Sequence, residues 1–329
     1  MREWHNQTYI DTKMAIKRPL IQIALAVYNG QRYLNHFLDS LLSQSFPDFQ
    51  LIVSDNASTD CTLAILRSYV GRFPHGIKIL PASTQTTSAA LNFARVTDWV
   101  TAQYVMYADA DDVWYPDKIR NTYATMIDAE KQYGRDVPLL VHTDLEVVDH
   151  ELRQLSPSYW KYQNVDPKRT QLRHLLMRNC VTGCTCMLNH ALVERIRPIP
   201  AEARMHDHWC AVTAAALGRI VTLPEQLIAY RQHGSNDTGA SEWSINALLK
   251  RLLAHTSPRD FRRPIDSKIL QAKALLARHG NEMNANSRAV VEALSSLSER
   301  NPLSRRLCVM RHGLFDTGFV RNVVLFLAL

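Results

Sequence analysis

The chain reads LIQIALAVYNG over residues 20–30, an almost continuous apolar run that ends in three turn-forming residues. Apolar side chains at successive positions are typical of a parallel strand that is buried on both faces. The polar stop Tyr28-Asn29-Gly30 predicts that this strand ends at residue 27. The segment therefore predicts the first strand of a parallel sheet.

The same strand–helix unit recurs along the following residues. The pattern predicts strands at 49–54, 77–80, 104–107 and 139–143, and helices at 34–42, around 65–66, at 89–99 and at 116–134. Alternation at this spacing predicts an α/β fold with an open, mainly parallel sheet. Ligands of such sheets bind at the carboxyl ends of the strands, which directs attention to Tyr28, Asp55 and Asp109.

Residues 170–231 show a less regular pattern. It predicts helices at 172–178 and from about Asp207, with a strand of small residues at 180–188. That strand carries the spacing Cys-x3-Cys-x-Cys, which could hold a metal, but buried, inert thiols are the favoured interpretation. Six unevenly spaced cysteines are not typical of a disulfide framework and indicate a reducing cytosol.

Charge divides the chain into parts. Residues 241–329 hold 14 Lys and Arg against 7 Asp and Glu, so they carry the whole net charge of +7 and residues 1–240 are formally neutral. We therefore predict an irregular leader at 1–18, one domain at 19–240 and a basic helical C-terminal region at 241–329. A neutral body argues against a nucleic-acid-binding protein. A basic, apolar tail fits peripheral contact with a membrane. The alternative is a helix that packs on the main domain or on a dimer partner.

The first apolar run is too short for the core of a signal peptide or for a membrane-spanning helix. We therefore expect a cytoplasmic protein, with the tail at the inner face of the plasma membrane.

The strongest local motif is Asp109-Ala110-Asp111-Asp112, directly after a predicted strand. Three carboxylates in four residues repel one another, and a divalent cation would compensate them. Mg²⁺ or Mn²⁺ prefers one or two carboxylates together with phosphate oxygens. The alternative is an acidic turn that caps the helix after Pro116. The loops that surround the motif favour a metal site at Asp109 and Asp111.

Four successive motifs resemble those of glycosyltransferase family 2. They are IALAVYNG at 23–30, LLSQS at 41–45, IVSDNASTD at 52–60 and DADDVW at 109–114. The last of these and YRQHGSN at 230–236 are similar to bacterial rhamnosyltransferase-like members. The resemblance covers about residues 20–240. It implies a GT-A fold, a metal-bound nucleotide-sugar donor and inversion at the anomeric carbon.

The resemblance also implies the residues of the donor site. These are Ala26, Tyr28, Asn29, Asp55, Asp109, Ala110, Arg231 and His233. Tyr28 is expected to line the nucleobase pocket, or else to be a strand-end aromatic of the core. Asp55 is expected to bind the ring N–H of a pyrimidine, which favours a dTDP- or UDP-sugar. Its alternative is a turn-forming aspartate that bonds its own backbone.

By the same resemblance, Asp207 is the catalytic base that takes the proton of the attacking hydroxyl. The alternatives are an N-cap for Asp207 and surface or partly buried imidazoles for the two flanking histidines. Arg231 and His233 are expected to act near the diphosphate. The alternatives for His233 are a ligand of the metal and a plain loop residue.

These features together predict an inverting hexosyltransferase that builds a bacterial surface polysaccharide such as O-antigen or capsule. The donor would be a dTDP- or UDP-sugar, with rhamnose favoured, and the acceptor a glycan or lipid-linked glycan. The alternative is a non-catalytic nucleotide- or sugar-binding module with a decayed site. A dinucleotide-dependent oxidoreductase is not supported, because only Gly30 follows the first strand and no Gly-x-Gly-x-x-Gly is present.

Overall fold

The structure is a computed structural model, and it describes residues 19–82, 86, 88–234 and 258–329. The predicted leader at 1–18 and the predicted boundary near residue 240 lie outside these residues.

The first half of the chain forms a parallel sheet with helical connections. Its strands are β1 (Ile21–Val27), β2 (Phe49–Asp55), β3 (Ile77–Ile79) and β4 (Tyr104–Ala108), and its helices are α1 (Leu34–Leu42), α2 (Thr62–Tyr69) and α3 (Ala89–Asp98). β1 lies between β2 and β4, with Ile21 opposite Phe49 on one side and Tyr104 on the other. Apolar periodicity predicts each of these elements to within two or three residues of its bounds.

The second half completes the sheet. In chain order it contains β5 (Val113–Trp114), α4 (Lys118–Tyr133), β6 (Leu139–Val148), β7 (Gln154–Ser156), α5 (Tyr159–Tyr162), α6 (Leu172–Leu175), β8 (Met187–Asn189), α7 (His190–Ile196), α8 (His206–Leu217) and β9 (Arg219–Arg231). The strand order is β3-β2-β1-β4-β8-β6-β9-β5, with β7 paired to β6. β8 runs antiparallel to both of its neighbours, whereas β6 and β9 are parallel. The sheet is therefore mixed but mainly parallel along its first four strands.

The strand predicted at 180–188 is wrong for most of its length. A 3-10 turn occupies Gly183–Thr185, and β8 begins only at Met187. The carbonyl of Thr182 accepts hydrogen bonds from the backbone N–H of Thr185 at 3.0 Å and from its hydroxyl at 2.7 Å. These local bonds replace a β ladder, because a threonine side chain can satisfy a backbone acceptor within one turn.

The described part of the C-terminal region, residues 258–329, is helical, as predicted. Its helices are α9 (Pro258–His279), α10 (Ala285–Ser295), α11 (Pro302–His312) and α12 (Phe319–Ala328). Their buried side chains join the apolar cluster on one face of the sheet, where Leu275 and Val291 share a core with Trp209 of α8. Ile23 and Leu25 of β1 belong to a second cluster on the opposite face. The tail helices are thus part of a helix layer that covers the sheet.

No helix among the described residues is both long enough and apolar enough to span a lipid bilayer.

Candidate active site

A cleft of about 720 Å³ opens at the carboxyl edge of the sheet. The loops after β1 and β4, the first turn of α8 and the residues after β9 form its wall. Most of the residues assigned to the site from sequence line it: Ala26, Tyr28, Asn29, Asp109, Ala110, Asp111, Asp207 and His233. Asp55 and Arg231 are not among the lining residues. The fold therefore brings the predicted base and the predicted metal ligands to one cavity.

Hydrogen bonds to the next βα loop fix the turn after β1. Asn29 adopts a positive φ of 48°. Its backbone N–H donates to the Ser58 hydroxyl, and its side-chain oxygen accepts from the backbone N–H of Thr59, each at 2.9 Å. Tyr28 is 51% exposed. The turn therefore presents the Tyr28 ring to the cleft, and the alternative of a core aromatic is wrong.

Asp55 lies at the end of β2, beside the cleft, and makes local turn contacts. Its carboxylate accepts hydrogen bonds from the backbone N–H of Ser58 at 3.0 Å and from the Ser58 hydroxyl at 2.5 Å. This is the turn-forming contact that an Asp-Asn loop permits. The contact of Asp55 with a nucleobase stays a prediction.

The three aspartates after β4 differ in their surroundings. Asp109 and Asp111 are partly buried on the cleft wall, and Asp111 Oδ2 lies 2.9 Å from His233 Nε2. Asp112 is fully buried, and its Oδ1 accepts from the backbone N–H of Arg231 at 3.1 Å. Burial, followed by the charges of Asp111 and Asp109, raises the pKa of Asp112 well above its ordinary value. Asp112 is therefore a support of the loop rather than a group open to a ligand in the cleft.

Oxygen and sulfur atoms converge at one further point. Potential ligand atoms of Asp109, Asp112 and Cys184 lie within 4.8 Å of one another. Burial raises the pKa of the Cys184 thiol well above its ordinary value, so it is protonated and a poor ligand. Mg²⁺ and Mn²⁺ prefer carboxylate oxygen. Asp109 and Asp111 are therefore the two metal ligands that are open to the cleft and suit such an ion.

Arg231 lies behind the aspartate loop. It is 1% exposed, and its guanidinium donates to the backbone carbonyls of Asp111 and His150, each at 2.8 Å. Its charged group also lies 4.5 Å from the centre of the Tyr33 ring, which in turn stacks on His233 at 4.8 Å. The structure thus places Arg231 where it holds the loop rather than on the cleft wall. The motif that contains it extends to residues 235 and 236, which lie outside the described range.

Asp207 occupies the first turn of α8 and faces the cleft. The N-cap position of this helix is Met205, so the N-cap interpretation of Asp207 is wrong. Its Oδ1 accepts from the backbone N–H of His208 at 2.5 Å. Burial raises the pKa of Asp207 to about 6, against the opposing effects of the His208 and Gly183 backbone and of Arg204. A pKa close to neutral suits a carboxylate that must accept a proton near pH 7.

The histidines on either side of Asp207 are fully buried, so their interpretation as surface or partly buried groups is wrong. His206 stacks on Phe93, with ring centres 3.7 Å apart and planes inclined by 19°. Burial lowers the pKa of His206 to about 3, which keeps the ring neutral. Neither of its nitrogens bonds to a described residue. His208 Nε2 lies 2.7 Å from the carbonyl of Leu175.

Sequence reasoning did not identify several residues of this wall. His206, Phe93 and Gly183 line the cleft beside Asp207. A Cβ atom at Gly183 would lie 2.7 Å from His206 Nε2, so only glycine lets the 3-10 turn approach α8 this closely. In the sequence, only the glycine within a run of small residues could have indicated this close packing. Its role becomes clear only from the contact between Gly183 and His206 in the fold.

The family model described as "Glycosyl transferase family 2" matches residues 22–193. An uncharacterised glycosyltransferase of Nostoc sp. is 26% identical over 225 residues, covering 66% of the chain and 66% of the relative. The dTDP-rhamnosyl transferase RfbG of Shigella flexneri is 34% identical over 106 residues, or 31% of the chain and 37% of the relative. The chain thus spans about two thirds of the first relative's length and little more than a third of the second's.

Solved structures resemble the whole fold. Residues 1–349 of S. aureus TarS, in complex with UDP-GlcNAc, match with a TM-score of 0.54 at 16% identity, covering 89% of the chain and 79% of that TarS segment. The mannosyltransferase PcManGT of Pyrobaculum calidifontis, in complex with GDP-Man and Mn²⁺, matches with a TM-score of 0.51 at 17% identity, covering 94% and 86%. At this identity the likeness shows the fold, and it confirms the predicted GT-A arrangement.

Proposed function

The chain belongs to glycosyltransferase family 2, and on that premise we propose that it transfers a sugar, with inversion, from a nucleoside diphosphate to an acceptor hydroxyl. The observation that carries this proposal is the joint exposure of Asp109, Asp111 and Asp207 in one cleft of about 720 Å³. The wall of this cleft offers two carboxylates suited to a cation and a third carboxylate whose pKa suits a base. This pairing is what an inverting displacement requires.

Asp207 is the base of the proposed reaction. As the acceptor oxygen bonds to the anomeric carbon, the bond from that carbon to the diphosphate breaks, and the hydroxyl proton passes to Asp207. The neighbouring His206 is unsuited to this step, because burial lowers its pKa to about 3 and leaves it a very weak base. Both of its ring nitrogens are buried and the ring stacks on Phe93, so His206 packs beside the base.

Asp109 and Asp111 would hold Mg²⁺ or Mn²⁺. Such an ion supplies positive charge that stabilises the leaving diphosphate. The fit rests on the oxygen donors of these two residues on the cleft wall and on His233, which lies 2.9 Å from Asp111. Arg231 keeps the loop in position from behind through its bond to the Asp111 carbonyl.

The donor is a dTDP- or UDP-sugar, with rhamnose as the favoured sugar. Support comes from the exposed Tyr28 ring at the cleft and from Asp55 beside it. The partial likeness to a protein named dTDP-rhamnosyl transferase agrees with a pyrimidine base. The acceptor is a glycan or lipid-linked glycan of a surface polysaccharide, and we place the enzyme at the cytoplasmic face of the membrane.

The test is a thermal-shift panel of nucleoside diphosphates with Mn²⁺, Mg²⁺ or chelator. A ligand at a hundred times its dissociation constant adds about 2.7 kcal/mol to the free energy of unfolding. We expect dTDP or UDP to stabilise the wild type only with metal, and to lose this effect in Asp111→Asn. The matched control Asp136→Asn removes an exposed carboxylate away from the cleft and should respond like the wild type. No shift with any nucleotide would overturn the donor assignment, and binding without any transfer would favour the non-catalytic module.

A further inference from the structure

Helix α11 carries an apolar stripe that no described residue covers. Leu303, Leu307 and Met310 are 67%, 58% and 57% exposed. Their spacing of four and three residues places them on one face of the helix. The opposite face, with Cys308 and Val309, is buried in the core. The three side chains of this stripe therefore do not contribute to the core of the fold.

Helix α12 carries a second stripe. Phe319 and Leu327 are 83% and 74% exposed, and Val323 lies between them at the same helical spacing. Leu325 and Ala328 on the other face are buried. Arg306 Nε of α11 donates to the carbonyl of Phe326 of α12 at 3.2 Å. This bond joins the two helices.

A cation-rich cavity adjoins the first stripe. It measures about 670 Å³, and Met310 of the stripe is part of its wall. Arg173, Arg219 and Arg311 line it together with the polar residues Asn286 and Ser287, and its lining contains no acidic residue. All three arginines are exposed, and none forms an ion pair with a described residue. Like charges around one cavity repel, so an anion inside it would be stabilised.

We propose that α11 and α12 dock on an anionic lipid bilayer, with both apolar stripes in the interfacial region and a lipid phosphate in the arginine cavity. Apolar side chains beside arginines suit an interface with anionic lipids, where burial of apolar area and charge attraction add together. A second copy of the chain is a poorer occupant, because a twofold interface would set each basic patch against itself. A nucleic acid would leave the apolar stripes in water.

Charged residues link the start of α12 to the cleft. Asp316, three residues before Phe319, lies 3.8 Å from Arg178 and acts electrostatically on Arg204. Arg204 also feels the charge of Asp207. Asp316, just before α12, and Asp207 on the cleft wall therefore act on the same guanidinium. The lipid surface does not rest on the proposed function, because binding to vesicles is measured without turnover.

The experiment is co-sedimentation of the full chain with vesicles of phosphatidylcholine alone or of equal parts phosphatidylcholine and phosphatidylglycerol. We expect binding to the anionic vesicles that weakens at high salt, where charges are screened. The double variant Phe319→Glu and Leu307→Glu should abolish binding to the anionic vesicles. Arg173→Gln with Arg311→Gln should weaken it about 25-fold, since each arginine near an anionic surface contributes about fivefold. Leu155→Glu and Arg67→Gln change an exposed leucine and an exposed arginine outside α11, α12 and the cavity, and should bind like the wild type.

Each outcome of the vesicle experiment tests whether the apolar stripes of α11 and α12 bind a membrane. Retained binding in the Phe319/Leu307 variant, or no preference for phosphatidylglycerol, overturns the proposal. A wild type that is dimeric without lipid, and that Phe319→Glu makes monomeric, would assign the stripes to a second copy instead. The nucleotide-dependent thermal shift should be equal in all these variants, so failure of the proposed function and failure of the lipid surface give different patterns.

Discussion

Two kinds of contact set the state of Asp207. Burial disfavours its charged form, and the backbone N–H of His208 favours it, with burial the larger effect. The result is a carboxyl group whose pKa is raised to about 6 from an ordinary 3.8. Asp207 therefore binds a proton at a higher pH than a solvated aspartate, yet it is mostly charged at pH 7.

The raised pKa of Asp207 predicts the acid side of the pH–rate profile. A base with a pKa of about 6 is charged above that pH and protonated below it. The transfer rate should therefore be constant near pH 7.5 and fall about tenfold for each unit below about 6. Initial rates at saturating donor from about pH 5 to 8 would show this. An acid limb centred near pH 4 would contradict the burial of the catalytic carboxylate.

The resemblance to family 2 assigns Asp109, Asp111 and Asp207 from the sequence, and the structure brings all three to one cleft. Their roles stay predictions. The sequence does not give the orientation of Arg231. That side chain turns away from the cleft because two backbone carbonyls distant in sequence, at residues 111 and 150, satisfy its donors in the core. Such partners depend on the tertiary fold and have no signal in the local pattern.

At the scale of elements, the end of β9 holds the aspartate loop. Arg231→Lys keeps the charge but loses the planar group that reaches both carbonyls. We expect the free energy of unfolding to fall by about 2 kcal/mol, the size of a hydrogen bond to a charged group. Chemical denaturation would measure this loss.

The matched control for Arg231→Lys lies at the other end of the same strand. Arg219→Lys changes an exposed arginine and should alter the free energy of unfolding by less than about 0.5 kcal/mol. Equal effects of the two substitutions would show that Arg231 does not brace the loop.

The elements themselves are largely predictable from the sequence. Apolar runs and helical spacing predict β1 to β4 and the helices between them. The strand predicted at 180–188 is wrong because the Thr182 carbonyl finds partners within one turn and Gly183 packs against His206. Small residues allow both a strand and a tight turn, and the neighbouring α8 decides between them.

At the scale of the whole molecule, the C-terminal helices contribute both to the apolar core and to the exposed surface. Charge and apolar content predict a separate basic region, and the structure shows that its inner faces complete the apolar cluster around Trp209. Leu314 lies in the apolar tail that the sequence predicts to contact a membrane, but it is buried in the core. Composition cannot distinguish the two faces of a helix whose partner is far away in the chain.

This shared core predicts a stability effect. Leu275→Ala in α9 removes a fully buried side chain and should lower the free energy of unfolding of the whole molecule by about 2–5 kcal/mol, in a single transition. Circular dichroism during denaturation would record it. Leu270→Ala changes an exposed leucine of the same helix and should have little effect. Two separate transitions in the Leu275 variant would mean that the tail unfolds independently of the sheet.

The most direct test of the account measures release of nucleoside diphosphate from the bound donor sugar by Asp207→Asn. The asparagine keeps the shape of the side chain but cannot accept the proton, so the rate should fall about 10²–10⁴-fold. The metal-dependent thermal shift with the nucleotide should be unchanged, because Asp109 and Asp111 are intact. A rate within about threefold of the wild type, with the nucleotide still bound, would contradict the assignment of Asp207 as the base.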